Sequence, residues 1–432
     1  MKKVLQMIAG STLAVTMAMG LVACAKDNSN TESDKSEFVP RLDTEKTVTL
    51  DIAGFLGNFE ALDQVINSFN EYYPDVTISY EQNGDSNLAE YMKNNEYVDI
   101  FMTTDTNIRY ETQPEKYVGE YCVDLNNADI DLSDIQPEML EACMVDGKLL
   151  RLPIAQDLSG MVVNETLLKK EGLEIPENYQ EFIQACEVLK KKGYVPIQSA
   201  ITHAGSDMTF NMAMTMIGND KELAKGVADG DKSAIEKLRP VFEKLKTFKD
   251  NGYIDNKVNK NYPDDNYDQA ILTFFEGNVP FWMCDTENAS GMKKRESKSD
   301  AFSKNPFEYK FMYVPLGDEG VYEYRTPWYG FSVNEKSDSY EYALEFMRFI
   351  AAKDQINTLA SVKGLPSVAV NSEDEKYSAI YNPEAVESEY VNDGSIEIGI
   401  ETSFADVINN YCNDQYESID EALEALCERC SL

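Results

Sequence analysis

Histidine is almost absent from this 432-residue chain, and His203 is its one example. Its neighbours, Ile201-Thr202 and Ala204-Gly205, match no nucleophile partner, so Ser-His-Asp catalysis is not supported and His203 reads as structural. Zinc fares no better, because Cys427-x-x-Cys430 lacks the two further ligands a closed site needs. Gly-x-Ser-x-Gly, Walker A and dinucleotide fingerprints are missing as well. No metal and no cofactor is expected. Basic charge is scarce: 39 Lys and Arg stand against 76 Asp and Glu, a net charge of −37. Such a surface repels nucleic acid and anionic lipid and disfavours an acidic ligand. The same 76 acids make some carboxylate pair inevitable, so a pair alone is no argument for glycoside hydrolysis. Beyond the first two dozen residues no apolar run reaches about 18 residues, the length a membrane helix needs.

What is present begins at the N-terminus. Lys2 and Lys3 precede a nearly uncharged stretch over 4–19, rich in small residues and too short to favour a permanent span. It runs into Leu21-Val22-Ala23-Cys24, which resembles the lipobox of bacterial lipoproteins. That resemblance implies removal of residues 1–23 as a signal peptide and lipidation of Cys24, anchoring the chain outside the cell membrane. Residues 24–43, polar and poor in apolar side chains, read as a flexible tether. Seven further cysteines remain. In an exported chain Cys122–Cys143, or Cys412 with Cys427 or Cys430, could pair, and the sequence does not choose.

The remaining length exceeds what one core usually serves, so two lobes are expected. Val48, Leu50 and Ile52 alternate with polar neighbours and predict a strand. After Gly54-Phe55-Leu56-Gly57-Asn58, a helical stripe runs through Phe59, Leu62, Val65, Ile66, Phe69 and Tyr73. Pro74-Asp75 stops it, Val76, Ile78 and Tyr80 alternate again, and Val98 to Met102 gives a third apolar run. The order predicts an α/β lobe with a mostly parallel sheet. Helices are expected at 164–171, from Asn178-Tyr179 to about Lys192, through most of 206–275, at 340–352 and over the last 30 residues. Strands are expected at 279–283 and 309–314.

Several segments, in order, resemble the extracellular solute-binding family 1, whose best-known members bind maltose and other oligosaccharides. The most specific runs from Leu152-Pro153-Ile154-Ala155-Gln156-Asp157 through Met161-Val162-Val163-Asn164 to Leu168, followed by Ile175-Pro176 through Phe182. Phe69 to Val76, Val98-Asp99-Ile100-Phe101, Phe275-Glu276-Gly277-Asn278-Val279-Pro280-Phe281 and Lys363-Gly364-Leu365-Pro366 add to it. The resemblance covers nearly all of the chain after the tether. It implies a periplasmic-binding-protein-like (Venus flytrap) fold, two α/β lobes joined by a hinge of several crossings. The crossings should fall near Ile154–Asp157, Gly277–Pro280 and Tyr324–Trp328. Lobe 1 would hold 44–154 and 279–326, and lobe 2 would hold 155–278 and 327–432.

The implied function is substrate binding for an ABC importer: a monomer captures a carbohydrate by closure and delivers it to the permease, and no bond is broken. The alternative is a cell-surface carbohydrate-active enzyme such as a glycoside hydrolase. A sugar presents C–H faces that stack on aromatic rings and hydroxyls that need carboxylate, amide or guanidinium partners. Trp328 and Tyr329, in the third implied crossing, are the first candidates for stacking. Trp282, the second of two tryptophans, fits cleft or core equally. Asp157 and Gln156 adjoin the hinge, and Asp105 follows the Val98–Met102 strand. Phe55 and Asn58 lie on the loop after the first strand, beside a helix N-terminus. Asp285, Arg325, Gly364 and Pro366 complete the expected ligand site.

Overall fold

Alternation does produce the first strand, β1 (Val48–Gly54), with Val48, Leu50 and Ile52 buried. Helix α1 (Glu60–Asn70) buries Ala61, Leu62, Val65 and Phe69 along one face. Beyond Pro74, β2 (Val76–Gln82) runs parallel to β1. Helix α2 (Leu88–Asn94) then leads to β3 (Ile100–Thr103), buried throughout and parallel to β1. This computed structural model describes residues 38–57, 60–83, 88–95, 98–104, 107–108, 117–199, 204–217, 220–254, 267–317, 323–361, 364–372, 389–391 and 406–430. Cys24, Asn58, Asp105 and His203 lie outside the described residues.

Helix α3 (Pro137–Ala142) begins on proline, where no helical N–H is lost. A short hairpin follows, β4 (Met144–Val145) and β5 (Lys148–Leu149), turning through Asp146 at φ 51° and Gly147 at φ 77°. Two residues with positive φ are what the twist of a two-residue hairpin demands. The long strand β6 (Leu152–Asn164) ends at an asparagine for a local reason: Asn164 Oδ1 accepts from Leu167 N at 2.9 Å and caps α4 (Glu165–Lys170). Asn178 caps α5 (Tyr179–Lys191) in the same way, at 3.0 Å from Glu181 N.

After β7 (Ile197–Ser199) the chain is helical through α6 (Ala204–Ile217), α7 (Lys221–Ala228), α8 (Lys232–Glu236), α9 (Arg239–Asp250) and α10 (Tyr267–Phe274). Next come β8 (Phe281–Asp285), α11 (Thr286–Glu296), α12 (Asp300–Lys304), β9 (Tyr309–Met312) and the long β10 (Glu323–Val333). The chain closes with α13 (Tyr340–Ile350), α14 (Lys353–Ser361), β11 (Glu389–Val391) and α15 (Ile419–Cys430). No helix of the described residues is long and apolar enough to cross a membrane.

One mixed sheet runs β2-β1-β3-β10-β6-β8-β7, with β11 on β10 and β9 on β6. Strands β6 and β10 are antiparallel and pass through its middle. On one side, Gly330–Val333 of β10 also pair with β3. On the other, Ser159–Asn164 of β6 pair with β8 and β9. β6 is buried on both faces: Met161 and Val163 join Phe182, Phe242 and Leu426 in one core, while Leu158 and Val162 join Phe274, Phe275 and Phe311 in another. Burial on both faces explains the unbroken apolar run Met161–Val163.

These pairings bear on two expectations. Within 279–326, β8 and β9 flank the second half of β6, and β8 also pairs with β7. At Gly277–Pro280, Asn164 donates from its main-chain N to Pro280 O and from Nδ2 to Gly277 O, holding that turn at the end of β6. Residues 327–432 are divided. Phe346 and Phe349 of α13 pack edge-on against Phe69 of α1, whereas Leu423 and Leu426 of α15 lie in the core around Phe242 of α9. The Cys122–Cys143 and Cys412 pairings are not formed, and the described cysteines are thiols.

Candidate functional site

Where β6 and β10 cross, Thr326 and Pro327 face Asp157 and Gln156, then Tyr329 faces Ala155 and Gly330 faces Pro153. The register skips Trp328, with breaks on both sides of Tyr329. A bulge leaves one residue out of the ladder and turns its side chain away from the regular pleat. Pro327, which offers no N–H to a ladder, adjoins the break. Trp328 is accordingly half-buried while Tyr329 is fully buried. Gly330 allows the strands to close up again: a Cβ there would stand 2.1 Å from Leu152 O and 2.7 Å from Arg151 Cγ.

Phe55, on the loop after β1, is half-buried and meets this bulge. Its ring lies 6.2 Å from Trp328 at 85° and 6.2 Å from Tyr329 at 82°, and the two β10 rings are 4.3 Å apart at 82°. All three contacts are edge-to-face, the arrangement that aromatic quadrupoles favour. Phe55 and Trp328 thus form a partly open apolar wall with Tyr329 as its floor.

Two carboxylates stand nearby, Asp157 on β6 and Asp285 at the end of β8. Asp157 Oδ1 accepts from Thr286 N at 3.0 Å, Thr286 Oγ1 at 2.6 Å, Glu287 N at 3.4 Å and Leu158 N at 3.0 Å. The first turn of α11 therefore ends on this carboxylate, which its orphan N–H groups and dipole favour. Asp285, the N-cap of α11, accepts from Asn288 N at 2.7 Å and Nδ2 at 2.6 Å. Burial, followed by the charge of Asp285, holds Asp157 well above the usual carboxylate range. Burial also raises Asp285, against the lowering effect of Asn288. Wall and carboxylates together can take a neutral polyhydroxylated molecule, ring faces on the aromatics and hydroxyls on the acids.

The crossing brings together Asp157, Arg325, Trp328, Phe55 and Asp285 from the expected set. Gly364, at φ 65°, lies against Ser290 of α11, a Cβ there standing 3.6 Å from the serine Cβ. Pro366 O accepts from Gln156 N at 2.8 Å, so it braces the same strand.

Three of the expected ligand contacts are buried side chains. Trp282 is 1% exposed and packs edge-on to Phe274 in the core behind β8, because its strand position faces inward. Tyr329 is fully buried beneath Phe55. Gln156 is buried, with Nε2 donating to Ser367 O at 2.6 Å and to Gln136 Oε1 at 3.2 Å, which serves the 365–369 segment.

Sequence reading missed Thr286 and Tyr80. Thr286, fully buried, joins α11 to β6 by donating to Asp157 and accepting from Leu158 N at 3.1 Å. Tyr80 binds both main-chain polar groups of Leu56. Its one local sign was Gly54, a glycine at a strand end, where another side chain can come close.

Comparison with known proteins accords with this geometry. The family described as "Bacterial extracellular solute-binding protein" matches residues 54–356. A multiple sugar-binding protein of Streptococcus mutans is 26% identical over 136 residues, 30% of this chain and 31% of that protein, so the match spans about a third of the relative. A probable secreted solute-binding lipoprotein from Streptomyces coelicolor superposes with a TM-score of 0.69 at 17% identity, covering 88% of this chain and 98% of the other. A sugar transporter protein from Bacillus licheniformis, solved in complex with stachyose, gives 0.59 at 18% identity, over 89% and 99%. These likenesses establish the two-lobed α/β fold. With the profile match covering well over half its length, the chain belongs to the bacterial extracellular solute-binding protein family.

Proposed function

We propose that this protein is the substrate-binding component of an ABC importer, taking up a carbohydrate, an oligosaccharide in particular, between its lobes and delivering it to the permease. The observation that carries the reading is the half-buried Trp328, turned out of the β10 ladder against Phe55 beside the Asp157 carboxylate. The relatives whose names refer to sugars support it. In this reading β1–β3, Gly330–Val333, α13 and α14 belong to lobe 1. The second half of β6, β7 to β9, α4 to α12 and α15 belong to lobe 2. Ligand touches both only when they close, so binding shifts an open–closed equilibrium that the permease reads. The protein acts as a monomer without metal or cofactor, is held at the outer face of the membrane through a lipid on Cys24, and leaves its ligand chemically unchanged.

The test is a thermal-shift screen of the purified chain against mono- and oligosaccharides, stachyose included. A ligand at a hundred times its dissociation constant adds about 2.7 kcal/mol to stability, so a true hit raises the melting temperature in a concentration-dependent way. A panel in which no sugar shifts the transition overturns the reading, and sugar cleavage in the same wells would point to a glycoside hydrolase instead.

A further inference from the structure

We propose that Tyr80 is a positioning residue of the ligand site: its hydroxyl grips the Leu56 main chain and thereby sets Phe55 against Trp328. The proposal rests on the reading of this crossing as the carbohydrate site, and it concerns a residue that would not itself touch the sugar.

Tyr80 stands on β2, directly paired with Ile52 of β1. Its side chain reaches past the end of β1 to the loop beyond. The hydroxyl accepts from Leu56 N at 3.1 Å and donates to Leu56 O at 3.0 Å. Both main-chain polar groups of one loop residue thus end on a single side-chain oxygen. A loop that leaves a sheet must find such partners away from the ladder. The ring has room only because residue 54 is glycine: a Cβ there would stand 2.5 Å from the Tyr80 hydroxyl, 2.6 Å from its ring and 2.5 Å from Met102 Sδ. Asn83 N adds a bond to Gly54 O at 2.5 Å. Burial raises the phenol to about 12, so the hydroxyl keeps its proton at any physiological pH.

The consequence falls on Phe55, which lies between Gly54 and Leu56. Phe55 has edge contacts to Trp328 and Tyr329 but is itself half-buried, so packing alone leaves it room to turn. The Tyr80–Leu56 pair removes that freedom. A preset ring spares the ligand the ordering of a loop and a side chain, which is how preorganisation raises affinity.

The test uses Tyr80→Phe, which keeps the ring against Gly54 and deletes only the hydroxyl. In a Trp282→Phe background Trp328 is the remaining tryptophan of the two, and acrylamide quenching reports how well Phe55 covers it without any ligand. Tyr80→Phe is expected to raise the quenching constant toward that of Phe55→Ala, and an unchanged constant overturns the proposal. Stachyose is the binding probe. Its affinity should fall about threefold to tenfold, the effect of losing ordinary hydrogen bonds, and Tyr80→Phe should cost nothing further when Phe55 is already Ala. Additive losses would mean Tyr80 acts by another route. If stachyose fails to bind the unaltered protein, the carbohydrate reading is what suffers, and quenching still decides the role of Tyr80. Should the variant not fold, amide exchange in the unaltered chain decides: slow exchange at Leu56 N supports the clamp, and exchange at the unprotected rate ends it.

Discussion

The Phe55 and Trp328 rings meet edge to face, 6.2 Å between centroids and 85° between planes, although 328 − 55 = 273 positions separate them in the sequence. The contact joins the loop after β1 to the bulge in β10, so one wall of the candidate site forms only when the two strands share a sheet. Edge-to-face pairs add about 0.5–1.5 kcal/mol beyond their buried area, enough to bias the geometry and not enough to lock it. That balance suits a surface that must accept a ligand ring.

The two tryptophans should behave in opposite ways. Trp328→Ala removes a half-exposed ring from the wall and is expected to cost at least about 1.4 kcal/mol of sugar affinity, tenfold, with little change in melting. Trp282→Ala empties a buried site beside Phe274 and should cost about 3–5 kcal/mol of stability, with the dissociation constant of the remaining folded protein unchanged. Calorimetry for affinity and denaturant titration for stability separate the two. A Trp328→Ala protein that binds as before removes the ring from the site.

Gly330→Ala tests the bulge. The added methyl would press on Leu152 O at 2.1 Å, and that is backbone which cannot swing away. Overpacking of this kind costs about 1–3 kcal/mol, and relief by parting β6 from β10 would also move Trp328. A lower denaturation midpoint together with weaker sugar binding is expected. Weaker stability with intact affinity would show that the bulge does not set the tryptophan.

Local chemistry was legible in the sequence and partner choice was not. Asn164 and Asn178 announce their helices because a cap acts over three residues. The alternation through Val48, Leu50 and Ile52 gives β1 because burial on a pleat has a period of two. Nothing local to Phe281–Asp285 says that β8 pairs with β6 and β7, and pairing across the sheet decided where it stands. Trp282 and Trp328 likewise look alike as residues. A register break that no propensity encodes turned one outward, and regular pairing with Val162 turned the other inward. Tyr80 was read correctly as a strand residue, but the reach of its hydroxyl to Leu56 depends on the adjacent strand and loop.

Glu345 should govern part of the acid sensitivity. It is buried on α13 and accepts from Tyr73 OH at 2.5 Å, Arg41 N at 3.0 Å, Arg348 Nε at 2.9 Å and Arg348 Nη2 at 2.6 Å. Burial alone would raise its carboxyl, but the Arg348, Tyr73 and Arg41 bonds outweigh it and the net shift is downward. A lowered native value means the native state binds fewer protons than the unfolded chain. The stability it contributes is present above the unfolded value, 4.5, and is lost as pH falls through the native one. Glu345→Ala, which leaves Arg348 and Tyr73 facing a gap, should cost on the order of 3 kcal/mol at neutral pH. It should also flatten the acid limb of a melting-temperature profile, and an unchanged limb would assign acid lability elsewhere.

Asp157 should show the reverse pH dependence, and a conflict between stability and binding. Burial and the Asp285 charge raise its carboxyl well above 3.8, so above that value the native state holds a proton the unfolded chain has released. Stability from this group is therefore greatest at acid pH and declines as pH rises from 3.8 through the native value. Asp157→Asn keeps an oxygen able to accept from Thr286 N, Thr286 Oγ1 and Glu287 N, and it abolishes the repulsion with Asp285. The variant should melt higher than the unaltered protein at pH 7, and the gap should close toward pH 4. If the carboxylate also serves sugar hydroxyls, its charge-assisted bonds are about twice as strong as neutral ones, and affinity should drop about tenfold in the very protein that is more stable. Lower stability at pH 7 would instead show that the α11 N-terminus compensates the buried charge in full. Higher stability with unchanged affinity would confine Asp157 to capping the helix.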